Sequence, residues 1–81
     1  MNNNMTIDSF RSKDLAESAF LYASGAKLIK SDNENGKVWF IFADKSCCEK
    51  LTATYWSKQA VVNAKEFSDA IRTLKDIIFN K

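Results

Sequence analysis

Cys47 and Cys48 are the only thiols in the sequence, and they sit side by side ahead of a helical run that ends in Tyr55 and Trp56. A thiol or hydroxyl nucleophile needs a base within hydrogen-bond reach, and histidine, the usual one, is missing from all 81 residues. That removes Cys-His and Ser-His catalysis. The carboxylates of Asp8, Asp14 and Asp44 could converge in a fold, but Asp14 and Asp44 each precede an apolar periodic run, where an acidic side chain serves a helix start. A phosphate-cradling loop needs clustered glycines, whereas Gly25 and Gly36 stand alone. A disulfide between adjacent cysteines is strained and rare, and neither a Cys-x-x-Cys nor a calcium-loop spacing occurs. A helix N-terminus can activate a thiol, yet burial as a small hydrophobe is the commoner use of such a cysteine. The expectation is a protein with no enzymatic activity, no cofactor and no metal.

What remains is side chains suited to binding. Tyr55 and Trp56 are neighbours on a helix, so they point about 100° apart and cannot both enter one core. At least one must lie near the surface. Lys58 follows closely, while Arg72 and Lys75 share a face of the last helix. If the two helices adjoin, Tyr55, Trp56, Lys58, Arg72 and Lys75 make an aromatic patch edged with cations, fit for an acidic partner or single-stranded nucleic acid. The competing reading is a solvated helix face whose cations Asp69 and Asp76 neutralise. The strand Val38-Trp39-Phe40-Ile41-Phe42 is loosely similar to one that stacks bases. Val38, Trp39 and Ile41 make both its faces apolar, however, and that predicts a central strand covered on each side.

The chemistry-bearing residues need elements to hold them, and the length bounds those to one domain with one core. Hydrophobic residues are 46% and charged residues 27% of the chain, a balance that folds and does not stay disordered. A net charge of +2 is too small to argue for nucleic acid by itself. Residues 1–5 read as a disordered start and 6–81 as a single α+β domain. Thr6–Arg11 suggests a short strand. Ser12 can cap a helix containing Leu15, Ala16, Ala19, Phe20 and Ala23, which Gly25 ends. Ala26–Ser31 and Lys37–Ala43 then read as a hairpin with a five-residue loop over Asp32–Gly36, the first strand being the sheet edge. Asp44 or Ser46 can start a second helix through Leu51 to Trp56, and Gln59–Val62 is a possible fourth strand. Asn63 with Glu66 makes a capping box for a final helix striped by Phe67, Ala70, Ile71, Leu74, Ile77 and Ile78. The series predicts a small antiparallel or mixed sheet of three to four strands with three helices, in the order of a ferredoxin-like sheet with an added C-terminal helix.

Several of these positions carry a resemblance. Ser12-Lys13-Asp14-Leu15, Ala19-Phe20-Leu21, Gly25, Phe40-Ile41-Phe42-Ala43-Asp44, Tyr55-Trp56 and the run from Val62 through Phe67, Ala70-Ile71-Arg72 and Leu74-Lys75 are similar to a family of small domains of unknown function from microbial and viral genomes. The resemblance spans nearly the whole chain and implies a fold and no activity. Cys47-Cys48 departs from that pattern. Two unpaired thiols and the lack of a long apolar run suit a cytoplasmic protein. The functional expectation is a small binding module, accessory or regulatory, acting through protein–protein contacts and most simply as a homodimer, since a chain this short has few other supports. The alternative is a single-stranded nucleic-acid-binding protein.

Overall fold

The computed structural model describes residues 8–80, so the expected disordered start and the Thr6–Ile7 end of the first strand lie outside the described residues. The elements are β1 (Ser9–Ser12), α1 (Leu15–Ala23), β2 (Leu28–Glu34), β3 (Lys37–Ala43), α2 (Lys45–Trp56) and α3 (Ala64–Phe79). The fold is α+β with a C-terminal helix. The sheet order is β1-β3-β2, with β3 antiparallel to both neighbours, so β1 and β2 run parallel on either side of it. That is the strand-helix-strand arrangement expected of a ferredoxin-like sheet, without its fourth strand. Gln59–Val62 forms no strand, and Val61 is 92% exposed, so this segment is only an extended link into α3.

Residues alternate between the faces of a strand, and β3 shows the consequence. Phe40 and Phe42 are buried on one face and pack with Ala19 and Leu21 of α1, Cys48 of α2, and Ala70 and Leu74 of α3. Phe10, Leu28 and Val38 border the same core. Ile71 joins it as a partly buried neighbour, so the central strand and the last helix share one core as their apolar patterns predict. Within the helical layer α1 packs against both α2 and α3 and lies between them.

Trp39 and Ile41 point to the other face, where the sequence predicts a second covering layer. Among the described residues no helix lies there. Long polar side chains take that role instead: Arg11 sits 4.4 Å from the Trp39 ring centroid and Lys13 5.4 Å, and Arg11 continues across β3 to Glu34 of β2 at 3.1 Å. Arginine and lysine stems cover apolar surface while their charged ends stay in water.

The hairpin differs from the sequence expectation in a related way. Its connection is a two-residue turn, Asn35-Gly36, with φ of 55° and 82°. Those left-handed values define the tight turn that matches strand twist and selects Asn-Gly. Asp32, Asn33 and Glu34, expected in the loop, pair instead with Trp39, Val38 and Lys37. An edge strand facing water tolerates such polar residues.

Helix starts follow local hydrogen bonding. Asp14, and not Ser12, caps α1, accepting the Glu17 N–H at 2.8 Å. Asp44 caps α2 for the Cys47 N–H at 3.1 Å from a left-handed conformation, φ 68°, in which its own N–H donates to the Asp8 carbonyl. Asn63 caps α3 through the Glu66 N–H, as expected.

Candidate functional site

Trp56 ends α2 and is 60% exposed, whereas Tyr55 beside it is partly buried and stacks on Phe20 of α1 with centroids 5.6 Å apart. The helical geometry predicted this split. The two rings meet edge to face at 5.0 Å, and the Trp56 indole N–H donates to Glu17 Oε2 at 2.7 Å. Glu17 is fixed in turn, since its Oε1 accepts from the buried Ser12 hydroxyl at the end of β1. Ser12, Glu17 and Trp56 therefore tie β1, α1 and α2 together. Burial raises the Tyr55 hydroxyl above its usual pKa, with the nearby Asp14 and Glu17 charges adding to the effect.

Lys58 stands just beyond, in a left-handed conformation at φ 66° where its N–H closes the end of α2 on the Tyr55 carbonyl. Its backbone is thus a helix terminator whatever its side chain binds. Arg72 and Lys75 are not brought to Trp56. They lie on α3, beyond the intervening α1, around a shallow groove with Ile71, Asp76 and the exposed Phe79. The single aromatic and basic patch expected from the sequence is therefore two separate surfaces. Asp69 lies 2.7 Å from Lys65 and 3.8 Å from Arg72, which fits half of the competing reading, while among the described residues Asp76 and Lys75 form no ion pair. The hydrogen bond from Lys65, aided by both positive charges, holds the Asp69 carboxyl below its ordinary range.

The charge bonded to Trp56 is the Glu17 carboxylate, and the charges set over Trp39 are the Arg11 and Lys13 cations. Sequence reasoning underrated Trp39 because the strand looked covered on both faces. The signal available was Arg11 on the strand that pairs with β3 and Lys13 just past its end.

The thiols divide. Cys47 is exposed and Cys48 fully buried, its Sγ donating to the Ala43 carbonyl at 3.5 Å. Burial, then the neighbouring Cys47 and Asp44 charges, push the Cys48 thiol up to about 11. Among the described residues no group of three or more potential metal ligands comes together, and no helix is long and apolar enough to cross a membrane.

These features define a two-layer α+β domain with three helices on one sheet face and a cation-covered tryptophan on the other. The chain belongs to the family DUF5659, a domain of unknown function, whose model matches residues 6–80. No curated protein and no solved structure matches it.

Proposed function

We propose that the chain is a non-enzymatic binding module, an accessory or regulatory protein of the cytoplasm that acts through protein–protein contacts anchored on Trp56. One observation carries this reading: Trp56 is 60% exposed, yet its indole is already held by Glu17 at 2.7 Å and by the Tyr55 ring. A large aromatic fixed before docking loses little conformational freedom on docking, and such residues dominate interface energies. Cys47 and Cys48 are both free, which fits a reducing compartment. The simplest partner is a second copy related by a twofold axis. In sedimentation equilibrium at micromolar concentration the wild type is expected to populate a dimer, and Trp56→Ala to shift it to monomer with helix content unchanged. A strictly monomeric wild type removes self-association and leaves Trp56 to a different protein.

Single-stranded nucleic acid is the second reading, and Trp39 favours it more than Trp56 does. Arg11 and Lys13 beside an indole offer the cations and stacking surfaces that a strand of bases uses. Fluorescence anisotropy at low salt is expected to show salt-sensitive binding of a labelled single strand, weakened more by Arg11→Ala with Lys13→Ala than by Arg72→Ala with Lys75→Ala. No binding at low salt ends this reading.

A further inference from the structure

β2 is an edge of the sheet, paired with β3 on one side and, among the described residues, with no strand on the other. Outside that pairing no hydrogen bond among the described residues uses the backbone of residues 30–34. Glu34 and Lys37 flank the two-residue turn, and in such a hairpin the flanking residues form a hydrogen-bonded pair. The backbone groups of Glu34, Asp32 and Lys30 therefore point at β3, and those of Asn33 and Ser31 point out of the sheet. The pairing with β3 shifts register between Leu28 and Lys30, which ends the regular edge there and leaves Ile29 51% exposed. Lys30 and Asp32 stand on one face of β2 with their charged ends 3.8 Å apart.

We propose that β2 is a self-complementary edge that pairs antiparallel with β2 of a second copy, Ser31 against Ser31 and Lys30 against Asp32 on each side of the twofold axis. An antiparallel neighbour must set outward-pointing residues against outward-pointing residues, which confines a twofold pairing to registers that match Ser31 or Asn33 with Ser31 or Asn33. Matching Ser31 with Asn33 brings the two Asp32 carboxylates face to face. Matching Asn33 with Asn33 sets Asp32 against Glu34 twice. Like charges directly opposite destabilise a strand pair and opposite charges stabilise it, so the Ser31 register is the one that the charges select. Asn33 then lies across from Ile29 of the other copy. The contact goes beyond the Trp56 reading and shares no residue with it. It is small, so it is populated near millimolar concentration, above the micromolar range of a contact anchored on Trp56.

The test uses the full chain carrying Trp56→Ala, so that the fate of the Trp56 contact has no bearing on it. Near millimolar concentration this parent is expected to form dimers in sedimentation equilibrium, with amide exchange slowing at Ser31 and Asn33 as concentration rises. The Lys30 and Asp32 side chains are 62% and 42% exposed, so substitutions there keep the fold. K30D opposes carboxylate to carboxylate in both pairs and D32K opposes ammonium to ammonium, and each is expected to weaken association about tenfold. The double variant K30D/D32K restores both pairs at unchanged net charge and is expected to associate as the parent does. A monomeric parent, protection centred away from Ser31 and Asn33, single variants that associate unchanged, or a double variant no tighter than the singles each overturns the proposal.

Discussion

Glu17 shows how much one side chain can join in a molecule this small. Its two carboxylate oxygens accept from Ser12 and Trp56, and its backbone N–H donates to Asp14. The neighbouring cysteines show the opposite case, in which adjacent residues of one type share almost no environment. Cys48 keeps its proton in the folded state up to about pH 11, whereas the unfolded thiol releases it near 9.0. The unfolded chain therefore binds fewer protons between those values, and the stability that Cys48 contributes is whole below about pH 9 and falls as pH rises towards 11. At pH 8 a thiol-specific reagent is expected to modify Cys47 quickly and Cys48 only after denaturant is added. Equal fast reaction at both thiols would contradict the assignment of Cys48 to the core.

At the scale of elements, the Asn35-Gly36 turn fixes the β2–β3 register. Gly36 has open space around it, so a substitution there is opposed by its φ of 82° and not by a clash. Gly36→Ala is expected to cost about 1 kcal/mol through the left-handed backbone alone, read as a lower urea midpoint at unchanged slope. An unchanged midpoint would mean that the turn adopts another form. The helix α3 and the strand β3 were legible in the sequence because their patterns are strong: an apolar stripe behind Asn63 in one, an apolar run in the other. The length of β2 was not legible, because Asp32, Asn33 and Glu34 have loop chemistry and enter a strand only through their partners on β3. Ser12 was misread for a related reason. Its hydroxyl suits a cap, but it is buried at the end of β1 and used by Glu17, leaving the cap to Asp14. The proposed patch failed because spacing along a helix says nothing about which helix lies between two others.

Over the whole molecule, stability rests on one core shared by the sheet and all three helices. Leu74 is completely buried and belongs to the helix that meets the rest of the domain chiefly through α1 and this core. Leu74→Ala is expected to cost about 2 to 5 kcal/mol, a large part of the total for a domain of this size. Chemical denaturation showing a loss below about 1 kcal/mol would place Leu74 outside the core. The two tryptophans lie apart from that core and in opposite fields, Trp39 beneath Arg11 and Lys13, and Trp56 bonded to Glu17. Iodide is drawn to the first and caesium to the second, so two quenchers of opposite charge divide the intrinsic fluorescence by face. A ligand then declares which side it covers by which quencher it blocks.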